Sequence, residues 1–507
     1  MHVDSKILSI ENLAQTIADY QKQRKKVVLC HGVFDLLHIG HVRYFRQAAQ
    51  MGDVLVVTVT PDKYVDKGPA RPAFPQDLRV EGVASQQMVD HAAINIWPTA
   101  EKLLHHLKPD IYVKGADFKS LEDDPTGKLQ GEAKVCQELG IDIRLTQDVV
   151  FSSTNLINRF LSAFSDEVQE YLNIFRNRFS LSEIEDIFCK MSELSVTVVG
   201  DTILDDYQYC VPLGASSKEP VMAFRHQGND LFAGGVLAIA NHLSCLVKEV
   251  QLVSALGDQD SQEDFIRKNL RENVIPYFEY MPNAPTLRKR RYIEGYSMTK
   301  LFEIYHMDDS GLDQETDKKF REHLMQQAQR TDITMAADFG HGAVSPQCRA
   351  DLTRAPFLAV NTQANAGNRG FHTISHYSHC DFISLAEPEL RLDRRDRHTG
   401  IVPLAQQVRE KTGAAMVAVT CGKKGSYIQN DGGLSVLVPA FVHKVVDRIG
   451  SGDAFFSITS LAARLGVHPE LVAFLGNVVG SIAVGIVGNK KAIDRQSIMK
   501  NITSLLK

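Results

Sequence analysis

The 507-residue chain has no apolar run approaching the roughly 20 residues that a bilayer span requires. Met1 to Gln15 mixes charges into its apolar residues, so neither export nor membrane insertion is expected. Charge of one sign is also lacking. The net charge is −5 and no long Lys/Arg block occurs, which leaves no electrostatic case for nucleic acid or a membrane surface. Small polyanionic substrates would need local rather than global positive charge. The eight cysteines form no C-x-x-C pair, which argues against a disulfide framework or a zinc knuckle and points to a reducing cytoplasm. What remains is the composition of an ordinary globular protein, 44% apolar and 23% charged. Its length exceeds one core and predicts about two to three domains.

The stretch His31-Gly-Val-Phe-Asp-Leu-Leu-His-Ile-Gly-His41 carries the first chemistry. It follows the apolar run Val27 to Cys30 and precedes the amphipathic Val42 to Gln50, which spells strand, glycine loop and helix start. A helix N-terminus offers unpaired N–H groups and a positive dipole end, and His38 and His41, three apart, can both point at a phosphate placed there. Two imidazoles at one phosphate suit charge stabilisation better than covalent attack. The alternative is a turn with solvated histidines. Asp53 to Thr60 then completes a β-α-β unit with a parallel sheet, so the fold class is α/β.

Gly32, Phe34, Asp35, His38, Gly40 and His41 match the pattern of the cytidylyltransferase-like nucleotidyltransferases, which this stretch resembles. The resemblance implies that the two histidines stabilise the α-phosphate of a nucleoside triphosphate, ATP or CTP, while a substrate phosphate attacks and pyrophosphate leaves. It also implies that Lys67 and Arg79, which composition alone would leave solvated, hold the triphosphate. Ile111-Tyr-Val-Lys-Gly-Ala-Asp117 is similar to the family's nucleotide-binding segment, with Lys114 and Gly115 in it. Ser152-Ser-Thr-Asn-Leu-Ile-Asn-Arg159 reads as a capped helix start. Its likeness to the family's Ser-Thr-Thr motif implies nucleotide contact at Ser153, Thr154 and Arg159.

Between Asp166 and Leu194 two helical patterns and no strand are found, the second opened by the capping box Ser180-x-x-Glu183. Three regions follow: residues 1–163, a helical connector at 164–194, and residues 195–507. The last begins with the apolar run Val196 to Val199. Gly200-Asp201-Thr-Ile-Leu-Asp205 ends that strand with carboxylates where open parallel sheets bind ligands, or simply with solvated ones. Tyr207 to Arg225 predicts a small clasp beside the main sheet. Gly234 and Gly235 permit close backbone approach to a ligand, or a tight turn. Lys289 and Arg291 fall on one face of a strand, for anion contact or for solvent.

Asp447-Arg-Ile-Gly-Ser-Gly-Asp453 is the second strong site. Gly450, Ser451 and Gly452 can turn N–H groups inward as an anion nest at a helix N-terminus, with Asp453 poised as a base; phosphoryl transfer needs that pair. The stretch resembles the ribokinase-like sugar kinases. Further matches are Asp201 and Asp205, Gly234 and Gly235, Lys289 and Arg291, Asp338 to Gly342, Glu387, and Thr420, Gly422 and Gly425. The resemblance implies ATP and Mg2+, a nucleotide side formed by Glu387, Thr420, Gly422, Gly425, Asp447 and the nest, and a substrate side formed by the rest. Ala238 and Ser384 stand where the family often has Asn.

His372, His376, His379 and Cys380 lie outside both patterns. They could hold zinc only if a helix made them converge, which the β-branched surroundings disfavour; solvated histidines are expected and no metal site is assigned. A nucleotidyltransferase joined to a sugar kinase resembles the bifunctional enzymes that make nucleotide-activated heptose for bacterial surface polysaccharide, with the two halves in reversed order. The expectation is a cytoplasmic homodimer acting on sugar phosphates and nucleotides. Two alternatives stay open: another sugar or polyol phosphate activated with CTP, and a kinase-like half that only regulates or dimerises.

Overall fold

Alternating β-branched runs and amphipathic helices build two α/β units, Met1–Ser165 with Thr503–Lys507, and Asp166–Ile502. The structure, a computed structural model, describes residues 3–65, 71–115, 128–146, 164–308, 310–442 and 445–506.

In the first unit a parallel five-stranded sheet has the order His91–Ile94, Val54–Val59, Val27–Gly32, Ile111–Lys114, Asp142–Leu145. Val27 to Cys30 and Val54 to Val59 are buried throughout, because helices cover both faces of the sheet and each face needs its own apolar layer. The order reverses between Val27–Gly32 and Ile111–Lys114. A crevice opens at the carboxyl ends of adjacent strands where such a sheet changes direction, and the His31 to His41 segment leaves from that point.

In the second unit the strand Ser195–Ala215 belongs to two sheets. Its first part, to Asp201, pairs in parallel with Glu249–Gln259, and its Val196 to Gly200 stretch with Ile333–Asp338, inside a main sheet that continues through Leu358–Thr362, Phe382–Ala386 and Met416–Thr420. From Thr202 it pairs with Met222–Gly235 on one side and, from Leu204, with Arg288–Glu294 on the other, and Thr299–His306 completes this clasp sheet. The clasp is therefore larger than the Tyr207 to Arg225 segment predicted from the sequence. The pairing that enlarges it joins residues more than 80 apart in the chain, and local patterning does not encode such pairings.

The stretch predicted as a connector forms the helices Asp166–Arg176 and Leu181–Met191, and the predicted capping box is present: Glu183 N–H donates to Ser180 Oγ at 3.2 Å and Ser180 N–H to Glu183 Oε2 at 2.8 Å. Both helices pack into the second unit. Phe175 is fully buried and stacks on Phe474 with ring centroids 4.1 Å apart, and Arg178 pairs with the buried Glu470.

Candidate active sites

His38 caps the helix Ile39–Ala49, and its Nδ1 accepts a hydrogen bond from Gly40 N–H at 3.1 Å. An accepting Nδ1 leaves the proton of a neutral imidazole on Nε2, the form that donates to a phosphate oxygen. His41 lies one turn on, its ring 4.0 Å from that of His38, and Phe34 meets it edge-on at 5.5 Å. Phe34 is buried at φ +49°, and a β-carbon on Gly32 would come within 3.0 Å of its ring. Gly32 thus makes room for Phe34, and Phe34 props His41. Both shape the site from beneath it.

Asp35 and Arg79 also have structural places. The buried Asp35 carboxylate accepts from Arg71 at 2.7 Å, from Ala73 N–H at 2.6 Å and from Phe74 N–H at 3.3 Å, and so pins the Arg71 to Phe74 segment. Arg79, expected to hold the triphosphate, is 2% exposed. Its guanidinium donates to Phe74 O at 2.9 Å, Thr60 O at 2.8 Å, Asp62 Oδ1 at 2.6 Å and Val33 O. These bonds tie together the loops that follow two adjacent strands. A buried guanidinium must be satisfied, and here three backbone carbonyls and the Asp62 carboxylate satisfy it. Lys114, at the end of the neighbouring strand, pairs with the buried Glu132 at 2.6 Å, and Gly115 beside it faces open space. Lys67, Ser153, Thr154 and Arg159 lie outside the described residues.

In the second unit Gly450, at φ +80°, precedes the helix Ser451–Arg464, and Asp453 lies in its first turn. Burial, and next to it the charge of Asp205, pushes the Asp453 carboxyl up to about 7, against a partial offset from Lys289. Asp205 is buried and ion-paired with Arg291, which also meets Glu303 at 3.0 Å. The predicted strand face is real: Lys289 and Arg291 turn toward Asp205, whereas Arg288 and Arg290 pair with Asp260 at 2.9 Å and Asp206 at 2.8 Å. Burial lowers the pKa of Lys289. Next to the nest, Thr420, Gly422, Gly425, Ser451, Gly452 and Asn477 line a cavity of about 390 Å³. Nothing lies within 4 Å of where a β-carbon on Gly452 would stand.

Three expected ligand contacts also serve as internal anchors. Asp201 accepts the backbone N–H groups of Phe339 at 3.0 Å, His341 at 3.3 Å and Ala343 at 3.0 Å, so it organises that loop; burial and then Asp338 raise its carboxyl to about 6. Asp338 meets His372 at 3.1 Å, Tyr377 at 2.8 Å and Arg349 at 3.4 Å. Asp447 is saturated by four donors. The glycine pair serves the chain itself: a β-carbon on Gly234 would stand 2.2 Å from Asp205 Oδ2, and one on Gly235 2.6 Å from Asp201 O. Glu387 is partly exposed and bonds Arg391 at 2.9 Å.

His372, expected to be solvated, is not. It is buried against Asp338, whereas His376 and His379 are exposed, and burial raises the Cys380 thiol to about 12. Among the described residues no three His, Cys, Asp or Glu side chains converge as a metal set, and no helix is long and apolar enough to cross a membrane. Three residues of these sites carry little signal in the sequence. Glu132 is one polar residue of an amphipathic helix, Asn477 sits in a mostly apolar one, and Glu389 hides behind Glu387. Half-buried and bonded by Ala386 and Ala364 N–H, Glu389 is pushed up to about 7 by desolvation and adds to the negative field at Asp453.

Residues 194–494 match the pfkB family carbohydrate kinases, more than half of the chain. The chain belongs to the pfkB family. Residues 29–159 match the cytidylyltransferase-like family, so a cytidylyltransferase-like domain precedes the pfkB domain. The bifunctional protein HldE of Pseudomonas savastanoi pv. phaseolicola is 38% identical over 153 residues, 30% of this chain and 31% of that protein. The bifunctional protein HldE of Campylobacter concisus is 36% identical over 167 residues, 32% and 33% of the two chains. The similarity falls on the first domain, and the chain spans about a third of the length of these curated relatives. Phosphofructokinase-2 from Escherichia coli, in its tetrameric inhibited form, superposes with a TM-score of 0.50 at 14% identity, over 62% of this chain and all of that one. This likeness shows the α/β fold of the pfkB domain.

Proposed function

We propose that the chain is a two-site enzyme of nucleotide-activated sugar synthesis, with a heptose-like sugar phosphate as substrate. The pfkB domain phosphorylates a sugar or sugar phosphate from ATP, and the first domain transfers a nucleotidyl group from ATP or CTP to a sugar phosphate with release of pyrophosphate. The observation that carries the kinase reading is Asp453: a carboxyl raised to about 7, in the first turn of a helix whose N-terminus is a glycine nest beside the 390 Å³ cavity. A base whose pKa lies near the working pH takes a hydroxyl proton efficiently. Asp453 accepts the acceptor's proton as its oxygen attacks the γ-phosphorus, and the N–H groups of Gly450 to Gly452 steady the charge as ADP leaves. In the first domain His38 and His41 steady the α-phosphate while a substrate phosphate oxygen displaces pyrophosphate.

Mg2+, when bound, would neutralise phosphate charge, and it needs only one or two protein carboxylates. Glu387, partly exposed at the head of its helix, is the carboxylate that would face the ion's water shell. The reading places the protein in the cytoplasm as a homodimer.

The test is pyrophosphate release and phosphoryl transfer across the four nucleoside triphosphates and a panel of sugar phosphates, with His38→Ala and Asp453→Asn as controls. Absence of both reactions on every acceptor rejects the reading. Ala238 and Ser384 are buried and bring no amide to the cleft, which favours as a second reading a kinase-like domain that binds nucleotide and regulates or dimerises without transferring phosphate. Phosphorylation by the wild type, lost in Asp453→Asn, decides against it.

A further inference from the structure

Asp447 is not among the residues that line the cavity beside the Gly450 turn. Each of its carboxylate oxygens is shared between two parts of the pfkB domain. Oδ1 accepts from Lys300 Nζ at 2.5 Å and from Ile449 N–H at 3.2 Å, and Oδ2 accepts from the Tyr207 hydroxyl at 2.6 Å and from Gly488 N–H at 3.0 Å. Tyr207 and Lys300 belong to the clasp sheet. Ile449 directly precedes the Gly450 turn, and Gly488 leads into Asn489, whose Oδ1 stands 2.1 Å from where a β-carbon on Gly450 would be.

Apolar contacts follow the same line. Tyr207, Phe232 and Ile293 of the clasp form a buried cluster against Ile449 and Val487, and a β-carbon on Gly488 would come within 2.8 Å of the Phe232 ring. The clasp also carries the acceptor side, since Asp205 lies on the strand of Tyr207 and Lys289 on the strand paired with it. One carboxylate thus takes a hydrogen bond on each oxygen from the clasp sheet and from one of the two segments that meet at the Gly450 turn. A buried carboxylate with four donors cannot move with one set and keep the other. Lys300 is 37% exposed, so water reaches its side of the ion pair, and when that pair opens the buried Asp447 carboxylate still keeps the Tyr207, Ile449 and Gly488 donors.

We propose that Tyr207 and Lys300 are positioning residues that couple the clasp to the anion nest through Asp447, so that nucleotide binding orders the sheet covering the acceptor. The inference rests on the reading of this domain as a nucleotide-binding kinase. Coupling between two sites is reciprocal and amounts to roughly 5–150-fold in affinity for typical proteins.

The experiment uses the full chain and AMP-PNP with Mg2+. Hydrogen exchange of the Thr299–His306 backbone is followed with and without nucleotide, and nucleotide affinity is measured by calorimetry. In the wild type nucleotide should slow exchange there about tenfold. Lys300→Met and Tyr207→Phe should lose that slowing and bind nucleotide about fivefold to tenfold more weakly, whereas Lys300→Arg keeps the charge and retains both. Tyr207→Phe keeps the buried ring, so a loss there is not a packing defect. Persistent slowing in both variants, or none in the wild type once nucleotide is bound, overturns the inference and leaves the kinase reading standing. A wild type that binds no nucleotide in this domain rejects the kinase reading itself, and the inference with it.

Discussion

A β-carbon on Gly234 would stand 2.2 Å from Asp205 Oδ2, so the strand entering the Val236–Ser244 helix passes over the acceptor-side carboxylate with no room for any other residue. Asp205 has nowhere to retreat, because Arg291 holds its other oxygen. Gly234→Ala is expected to destabilise the pfkB domain by about 1–3 kcal/mol, the usual cost of overpacking. It should also raise the acceptor KM more than the ATP KM. Initial rates with each substrate varied in turn, together with thermal melts, check this.

Asp453→Asn should lower phosphoryl transfer by roughly 10²–10⁴ with little change in nucleotide affinity, because a general base acts in the transition state. With the wild-type carboxyl at about 7, kcat/KM should fall with decreasing pH below that value, as the base becomes protonated. Stability has a definite sign as well. The folded-state pKa is raised, so ionised Asp453 opposes folding; the penalty grows as pH rises from the unfolded value toward about 7 and is constant above it. The Asn variant should therefore melt higher than the wild type at pH 8, and by less at pH 5. A variant less stable at pH 8 would show that Asp453 is held by contacts that favour its charged form.

Arg79→Met should act on folding before it acts on catalysis. It leaves Thr60 O, Phe74 O and Val33 O without their donor, while Asp62, 39% exposed, keeps the Gln76 N–H; a buried acceptor left unsatisfied costs about 1–3 kcal/mol. Denaturant melts of the first domain measure the loss. A stable variant with only a raised triphosphate KM would return Arg79 to the cation role expected from the sequence.

His38→Ala and His41→Ala should each lower pyrophosphate release by roughly 10²–10³, the typical loss of one donor to developing charge. Kinase activity should stay unchanged. Phe34→Leu should produce a smaller fall at the same site, since it removes the edge contact that holds His41 at 5.5 Å while keeping the core filled. Steady-state kinetics on both reactions separates the three variants.

A pfkB fragment starting at Ser192 should be far less stable than one starting at Ser165. The shorter fragment discards Phe175, which is fully buried on Phe474, and the Arg178 partner of buried Glu470. Phe175→Ala in the full chain should cost about 3–5 kcal/mol. Calorimetry of the two fragments decides where the domain begins.

Local chemistry was readable from the residues alone. Strand, glycine loop and capped helix are written in adjacent residues, and so are the His38 and His41 spacing, the Gly450 to Gly452 turn with Asp453, and the Ser180 and Glu183 capping box. Backbone propensity, hydrophobic period and capping act over one or two turns. Tertiary structure alone decided what the remaining polar residues hold. Arg79, Asp201, Asp338 and Asp447 look like ligand contacts in a sequence because buried anchors and binding groups use the same residue types. Which of them is saturated depends on carbonyls, amides and side chains as far as 240 positions away, as with Tyr207 and Asp447. The same holds for Glu389 and for the raised carboxyl of Asp453: burial and neighbouring charge, which set a pKa, exist only once the chain has folded.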